Sequence, residues 1–497
     1  MATLGIELCD AAFRAATFDG QEVKLIATPE QPAGLSWPGF AYFDGQKFAY
    51  GPAAEDLWFV HPRRVAHTFW SRLAQEPSTL GPSGKPAPFS QLAFHFFQDF
   101  YRHATRHHPA DKVVLAVPGA YLNDPATEEE KIGLLLGIAG ELKLPLSGVV
   151  DLACAALCDP RSSGFNPTRP VLVVDLHLDG TDLTLITAHE HIARQAFMHL
   201  PQSGGAQLLK HLTSTLGNRF LRQTAFDILE DGRIEQLFFR QTKDFFLSGA
   251  SEHRFQINTA NRTYEMIAKR DQLVGDAQAF VHALVQNVQA FERNTPHCAM
   301  GCTIALMDRA AQLPGLEARL RAAGYPTIIR LAPGAAASGA AHIGTSRKNP
   351  PPALSEVPVE TALPLTFARL NAGTSWEARL HKVRASGDPR PSPTHVILEG
   401  IGHPLAPLGR SVIGTAQANV DVPLPDPFNQ TEGLAIQLVR EGPRLWLISN
   451  QTTPIDGANS GGRTLIEAGD RLALQTRSAL AELLFVACGA PRPAGPA

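Results

Sequence analysis

Over roughly the first 340 residues, short apolar runs of strand length alternate with longer segments of helical character. The run "DKVVLAVPG" is typical of a buried strand. The segment "DPATEEEKIGLLLGIAGEL" is typical of a helix that begins with an Asp cap, an early Pro and an acidic first turn. Later in the chain, "CTIALMD" precedes the helical segment "LPGLEARLRAAG". Because such alternation is typical of sheets covered by helices, it predicts an α/β fold for residues 1–345.

The character of the chain then changes. Residues 346–364 are rich in Pro and lack a helical period, so we predict a linker there. Residues 365–490 contain short alternating runs such as "THVILEG" and "RLWLIS", which Gly, Pro, Asn and Asp separate. Such runs predict an all-β sandwich. For residues 491–497 we predict a disordered tail.

The composition argues against several classes of function. The chain has 497 residues and a net charge of −3, so no basic surface favours nucleic acid or an anionic membrane. No apolar run approaches the roughly 20 residues that a membrane-spanning helix needs. The 6 cysteines are scattered, as is typical of the reducing cytoplasm, and the N-terminal sequence lacks a secretion signal. We therefore predict a cytoplasmic protein that binds neither nucleic acid nor a membrane.

Two pairs of cysteines have a four-residue spacing, Cys154 with Cys158 and Cys298 with Cys302. A structural zinc site needs four converging ligands, and the sequence has no paired C-x-x-C motifs. Free cysteines are commonly small residues of a core. We therefore predict no dedicated metal site.

The order of several motifs resembles the nucleotide-binding domain of the 70-kilodalton heat-shock chaperone family, which has the actin-like ATPase fold. The segment "LGIELCDAAFRAATFDG" resembles the first phosphate hairpin of that family, and "VLVVDLHLDGTDLTLI" resembles the second. "VVDLACAAL" and "LMDRAAQLPGLEARL" resemble further family segments in the correct order. The resemblance covers about two-thirds of the chain. It implies a two-lobed actin-like ATPase fold for residues 1–345, with a nucleotide cleft between the lobes.

The resemblance also implies where a nucleotide would bind. It places nine residues in the cleft: Glu7, Asp10, Asp151, Asp175, Asp179, Gly180, Gly204, Gly205 and Asp308. In the family, glycines at the two hairpins let backbone N–H groups approach the phosphates. In this chain His177, Leu178 and Asp179 stand at glycine positions of the second hairpin, and only Gly204 and Gly205 survive among the glycine contacts. The phosphate cradle of the family is therefore replaced.

Other nucleotide contacts of the family are replaced as well. Ser71 stands at the position of the lysine that steadies the γ-phosphate, and Asp308 and Arg309 stand at the double glycine of the adenosine clamp. Phosphoryl transfer depends on positioning and on charge neutralisation, so these replacements imply a pseudo-ATPase without catalytic residues. We expect no cofactor. ATP and Mg²⁺ are the alternative, if the acidic side chains of the cleft converge as oxygen ligands.

The sequence from about residue 394 onward resembles a forkhead-associated domain. "PLGRSVIG" resembles the start of the motif that carries a phosphate-contacting arginine, and "RLWLISNQTTPIDG" resembles a later segment of that motif. The middle motif lacks its histidine. The resemblance implies a phosphothreonine site formed by Arg410, Thr431, Ser449 and Thr453. The alternative is the β-sandwich substrate domain of the chaperone family, which would occupy the same part of the chain.

Together these resemblances predict a cytoplasmic adaptor or scaffold that binds protein partners through its lobes and its C-terminal domain, with a phosphothreonine protein as one candidate partner. Two alternatives stay open. A rebuilt cleft would make the protein a divergent ATP-binding, chaperone-like ATPase. The actin-like fold would also be compatible with a protein that polymerises. The degenerate site favours a protein that is not an enzyme.

Overall fold

The protein is described by a computed structural model, and the chain divides into two compact units. The first unit comprises Met1–Phe165, Val171–Thr295 and Thr303–Arg369, and the second comprises Asn166–Pro170, Pro296–Cys302 and Leu370–Ala497. The structure describes residues 3–27, 36–74, 87–106, 109–162, 164–188, 190–260, 262–298, 301–347, 349–368, 376–383, 390–415, 420–425, 428, 434–448, 455–458, 462–476 and 480–488. The predicted tail, residues 491–497, lies outside these ranges.

The first unit is mixed α/β. Its described strands are β1 Thr3–Glu7, β2 Arg14–Phe18, β3 Val23–Leu25, β4 Ala41–Phe43, β5 Phe48–Tyr50, β6 Val65–Ala66, β7 Lys112–Val117, β8 Leu146–Asp151, β9 Val171–Leu176, β10 Gly180–Ala188, β11 His191–Pro201, β12 Glu252–Asn258, β13 Thr263–Lys269, β14 Thr303–Leu306, β15 Ile328–Arg330, β16 Val359–Glu360 and β17 Ala362–Pro364. Its described helices are α1 Pro52–Glu55, α2 Phe89–Thr105, α3 Pro125–Glu141, α4 Leu152–Leu157, α5 Gly205–Thr224, α6 Gly232–Ser248, α7 Arg270–Asn294, α8 Asp308–Ala311, α9 Leu316–Ala322 and α10 Ala335–Thr345.

Five strands of each six-stranded sheet of this unit have the same topology, whereas the sixth strand lies beside β8 in the first sheet and beside β11 in the second. In the first sheet, with strand order β16-β8-β7-β1-β2-β3, three antiparallel strands are followed along the chain by β7 and β8, parallel to β1. In the second sheet, with strand order β15-β14-β9-β10-β11-β17, three antiparallel strands are followed by β14 and β15, parallel to β9. The central parallel strands read as continuous apolar runs because both of their faces are buried.

Helix α10 packs against β1 and α4, and small residues make that approach possible. A Cβ atom on Gly5 would lie 2.0 Å from the carbonyl oxygen of Ala337, and a Cβ on Gly339 would lie 1.8 Å from that of Ala155. Helix α3 begins as the sequence predicts, since the Asp124 side chain accepts a hydrogen bond from the N–H of Thr127. The alternation over residues 1–345 therefore predicted these elements correctly.

Residues 346–364, the predicted linker, contain two strands. Strand β16 pairs with β8 at one edge of the first sheet, and β17 pairs with β11 at one edge of the second. This segment is therefore built into the sheets of the first unit. Strands of two and three residues are too short to show an alternating pattern, which is why the sequence predicted only a Pro-rich connection.

The described part of the second unit is built mainly from strands. Its described strands are β18 Trp376–His381, β19 His395–Leu398, β20 Ile401–Pro404, β21 Gly409–Gly414, β22 Val422–Pro423, β23 Ala435–Glu441, β24 Arg444–Ile448, β25 Ile455–Asp456, β26 Arg463–Ile466, β27 Arg471–Thr476 and β28 Leu480–Val486. They form a sheet of order β20-β19-β28-β27-β18-β25 and a sheet of order β22-β21-β23-β24-β26. The two sheets share one hydrophobic cluster, to which Leu472 and Leu483 contribute from the first and Leu438 and Leu447 from the second.

Among the described helices of the chain, we find none that combines the length and the apolar character required to cross a membrane.

Candidate functional site

The candidate site lies where β1, β9 and β14 end. Glu7 is the last residue of β1, Asp175 lies next to the end of β9, and Asp308 follows β14 as the first residue of α8. Strands β9 and β14 are parallel neighbours, so their C-terminal ends meet at one edge of the second sheet. This arrangement brings three acidic side chains that the sequence assigns to a nucleotide cleft into one buried cluster.

The guanidinium group of Arg309 lies between two of these acids. Its Nη1 atom is 2.9 Å from Oε1 of Glu7, and its Nη2 atom is 3.0 Å from Oδ1 of Asp175. Its Nε also donates to the carbonyl oxygen of Leu176. The contact with Glu7 lacks hydrogen-bond geometry and is therefore a charge–charge contact, whereas Nη2 donates a hydrogen bond to Asp175. Arg309 is 9% exposed at its side chain, so little water screens these contacts.

Asp308 pairs with a second arginine. Nη1 and Nη2 of Arg14 donate to Oδ1 and Oδ2 of Asp308 over 2.8 and 2.7 Å, which is a bidentate pair. Burial opposes the charge of the Asp308 carboxyl, but Arg14 and Arg309 outweigh it and lower its pKa. For Glu7, burial is the larger effect and raises the pKa despite the nearby Arg309. Each acid of this cluster therefore has an internal cationic partner.

The turns after β1 and β9 contact each other directly. The backbone N–H of Leu178 donates to Oδ1 of Asp10 over 2.8 Å. Sγ of Cys9 lies 3.3 Å from Nδ1 of His177, and Oδ1 of Asp10 lies 3.6 Å from the same nitrogen. Leu178 stands at a position where the resembled family has a glycine of its phosphate cradle. In this protein a carboxylate of the chain itself accepts its N–H.

His177 is surrounded by acidic groups. Its Nε2 atom lies 3.3 Å from Oδ2 of Asp175 and 3.3 Å from Oδ2 of Asp182. Burial alone would lower the pKa of His177, but Cys9, Asp175 and Asp182 outweigh that effect and raise it well above its ordinary value. Asp182 also pairs with Nδ1 of His199 at 2.7 Å. Burial opposes its ionisation, yet both histidines together lower the pKa of Asp182 to about 2.

Asp151 has different partners from the other acids. Its Oδ1 accepts from the N–H groups of Ala153 and Cys154, so the side chain caps helix α4. Its Oδ2 lies 3.1 Å from Nη1 of Arg194, which also donates to the carbonyl oxygen of Gly119. Burial nevertheless raises the pKa of Asp151. These partners therefore contact both carboxylate oxygens of Asp151. A Mg²⁺ or Ca²⁺ site in the cleft, the alternative above, would need these oxygens as ligands.

A cavity of about 120 Å³ adjoins the two turns. The cavity is smaller than the roughly 300–1,000 Å³ of typical small-molecule sites. It is lined by Leu8, Asp10, Phe13, Trp70, Ser71, Pro118, Ala120, Tyr121, His177, Asp179, Gly180, Asp182 and His199. Asp179 and Ser71 face each other there, with Oγ of Ser71 lying 3.5 Å from Oδ2 of Asp179. The cavity thus has room only for a small species, and acidic side chains form part of a wall that is otherwise largely apolar.

The three glycines of the predicted cleft differ in what they contact. A Cβ on Gly204 would lie 2.1 Å from the carbonyl oxygen of Leu178, and one on Gly180 would lie 2.4 Å from Cε1 of His199. A Cβ on Gly205 would have its nearest neighbour 3.5 Å away, at the carbonyl oxygen of His177. Gly204 is therefore required by the close approach of the protein's own turn.

The predicted phosphothreonine residues are described only in part. Arg410 lies in β21 with its side chain exposed, opposite Val439 of β23. Thr431, Ser449 and Thr453 lie outside the described residues. The predicted four-residue site therefore stays a prediction.

Several residues of the cluster had no role in the sequence-based prediction. His177 and Arg309 were recognised as replacements of glycines, but not as partners of Asp175. Other partners of the acids were not identified at all: Arg14, Asp182, Arg194 and His199. Arg14 and Arg194 pair across distances in the sequence that a spacing pattern cannot reveal. Asp182 contacts His177 within the hairpin of β9 and β10, but no motif marks that pair. Cys154, Cys158, Cys298 and Cys302 are buried, as predicted for core residues.

Comparison with protein families finds no family model that matches this chain, and comparison with curated proteins finds no significant match.

Proposed function

We propose that the first unit has the two-lobed actin-like ATPase fold and that its nucleotide cleft is closed by the side chains of the protein itself. On this proposal the protein is a pseudo-ATPase that acts in the cytoplasm as an adaptor or scaffold. The topology that five strands of each six-stranded sheet share supports the fold, because an architecture of two similar lobes would account for the repetition.

The contact of Arg309 with Glu7 and Asp175 is the observation that carries the proposal. In the resembled family these acidic positions face a metal ion and phosphates. Here a guanidinium group neutralises them from within, so a Mg²⁺ ion would have to displace a buried arginine. The Asp10 carboxylate likewise accepts the hydrogen bond of the Leu178 N–H, which a phosphate would need as a donor. Nucleotide binding would break both interactions, and the cost opposes it.

Equilibrium binding of nucleotide to the full chain tests this proposal without any variant. We expect no saturable binding of ATP in millimolar Mg²⁺, and no shift in the thermal unfolding temperature. A ligand at a hundred times its dissociation constant would stabilise the fold by about 2.7 kcal/mol, which such a melt resolves. Saturable binding of one ATP per chain, competed by ADP, would instead favour the divergent ATPase.

For the second unit we propose a protein-docking β-sandwich of the forkhead-associated type. Arg410 supports a recognition surface there, because it is exposed at the start of β21. We expect docking that does not require phosphate. A pull-down from the native host with and without phosphatase would test this, using wild type, Arg410→Ala and the exposed control Arg444→Ala. Binding lost after phosphatase treatment and in Arg410→Ala, but kept in Arg444→Ala, would establish phosphothreonine recognition instead.

A further inference from the structure

Cys9, Asp175 and His177 form a buried group of three potential metal ligands. One ligand atom from each residue lies within 4.8 Å of the other two. Cys9 is fully buried, and Asp175 and His177 are 3% and 6% exposed. Oδ2 of Asp175 and Nε2 of His177 are buried and lie 3.3 Å apart as an ion pair, but neither atom has a partner with hydrogen-bond geometry among the described residues. Such atoms are rare in a native protein, and an ion that binds both of them would satisfy them.

Two pairwise distances in this group are close to those between neighbouring ligands of a tetrahedral zinc site. With Zn–S of about 2.3 Å and Zn–N and Zn–O of about 2.0–2.2 Å, neighbouring ligand atoms lie about 3.4–3.6 Å apart. Cys9 Sγ is 3.3 Å from Nδ1 of His177, and Asp175 Oδ2 is 3.3 Å from Nε2. These two contacts use different nitrogens of the imidazole ring, and only one of them can bind the ion. Either Cys9 or Asp175 must therefore reorient towards the nitrogen that binds, within a group whose ligand atoms lie within 4.8 Å of one another.

The donor set favours zinc over the hard cations. Mg²⁺ and Ca²⁺ prefer oxygen ligands, whereas a thiolate and an imidazole select a softer ion such as Zn²⁺. We propose that Cys9, Asp175 and His177 bind one Zn²⁺ ion at the junction of the two turns, with water from the adjoining cavity as the fourth ligand. This site goes beyond the pseudo-ATPase proposal, because it needs no nucleotide.

The surroundings suit such an ion. The cavity is lined by His177 and by the acids Asp10 and Asp182, so an entry path of negative charge leads to the site. Arg309 donates to the other oxygen of Asp175, as residues around a metal site commonly do to orient a carboxylate ligand. Binding would displace the thiol proton of Cys9, because the thiolate is the ligand, and would require a ring nitrogen of His177 that carries no proton.

Titration with Co²⁺ tests the proposal, because a cobalt–thiolate bond gives a charge-transfer absorption band and tetrahedral cobalt gives intense visible bands. The reference protein is the full chain carrying Cys488→Ser, which removes the exposed cysteine. We expect one Co²⁺ per chain with both signatures, and displacement of Co²⁺ by Zn²⁺.

Two further variants of the reference protein identify the ligand. Cys9→Ser should lose the thiolate band and weaken metal binding at least about a hundredfold, because even residues around a metal ligand cost about 10–100-fold when changed. Cys158→Ser is the matched control, a buried cysteine away from the cluster, and should keep both signatures. The absence of a thiolate–cobalt band in the reference protein would overturn the proposal, even if Cys9→Ser failed to fold. Undiminished binding by a folded Cys9→Ser would overturn it as well.

Discussion

The backbone N–H of Leu178 donates a hydrogen bond to Oδ1 of Asp10 over 2.8 Å, although the two residues are 168 positions apart in the chain. This bond joins the turn after β1 to the turn after β9. Both groups are buried, so neither has water as an alternative partner. This hydrogen bond therefore links the two sheets of the first unit at the place where the resembled family binds phosphate.

Replacing Asp10 by Ala should destabilise the first unit by about 1–3 kcal/mol, because the N–H of Leu178 would be left buried without an acceptor. Asp10→Asn is the matched control, since its side-chain oxygen can still accept this hydrogen bond. We expect it to retain more stability than Asp10→Ala in urea unfolding followed by circular dichroism. Equal losses in the two variants would show that the charge of Asp10, and not its hydrogen bond, is what stabilises the contact.

Replacing Arg309 by Met should destabilise the first unit by about 3–5 kcal/mol. The change keeps an unbranched side chain but removes the arginine that contacts Glu7 and Asp175, and leaves Asp175 with only the ion pair to His177 among the described residues. Arg321→Met is the control, because the pair of Arg321 with Glu317 lies on an exposed helix surface and should contribute less than about 1 kcal/mol. Urea denaturation measures both. If Arg309→Met lost no more free energy of unfolding than Arg321→Met, the result would contradict the stabilising role of Arg309 in the cleft.

The adjacent glycines Gly204 and Gly205 should respond differently to Ala. A Cβ on Gly204 meets the carbonyl oxygen of Leu178 at 2.1 Å, so the backbone of one turn must shift. Gly205→Ala introduces a Cβ at 3.5 Å, in ordinary contact, at the first position of helix α5. We expect Gly204→Ala to lower the midpoint of thermal unfolding clearly, and Gly205→Ala to leave it nearly unchanged or raise it. The reverse order would mean that the two turns are not packed as described.

The second unit should lose stability in acid through Asp470. Its fully buried carboxyl accepts hydrogen bonds from Lys382 at 2.8 Å and Arg390 at 2.9 Å. Burial opposes its ionisation, yet these partners and the N–H of Glu467 lower its pKa below the ordinary 3.8. Because the folded pKa is lowered, this contribution is fully present above the ordinary pKa and is lost as the pH falls through the lowered value.

Asp470→Asn therefore measures the pH dependence. We expect it to lower the free energy of unfolding by about 1–3 kcal/mol at pH 7, since the anionic acceptor of Lys382 and Arg390 becomes a neutral amide. The difference from wild type should shrink as the pH falls below about 4. Glu482→Gln, which affects an exposed pair with Arg471, is the control and should change little at any pH. If the difference in the free energy of unfolding between wild type and Asp470→Asn grew as the pH fell, folding would raise the pKa of Asp470 and not lower it.

Much of the secondary structure follows from local sequence. The alternation "VLVVDLHLDGTDLTLI" predicted a hairpin, and β9 and β10 pair antiparallel with Asp175 opposite Asp182. The N-terminal cap at Asp124 also occurs where the pattern indicates it. Such features depend on residues within about a turn or a strand of one another, so the sequence determines them by itself.

The character of the cleft depended on the tertiary structure. The sequence could identify that Asp308 and Arg309 replace glycines, but a replacement alone leaves open whether a side chain faces solvent, packs, or fills the cleft. Glu7 and Arg309 are separated by most of the first unit in sequence, and only the folding of both sheets brings them 2.9 Å apart. Because the contact is buried, little water screens the attraction between Arg309 and the two carboxylates, and the interaction is stronger than it would be at the surface. Local patterns set the strands and helices, whereas the pairing of charges across the sheets is a property of the folded chain as a whole.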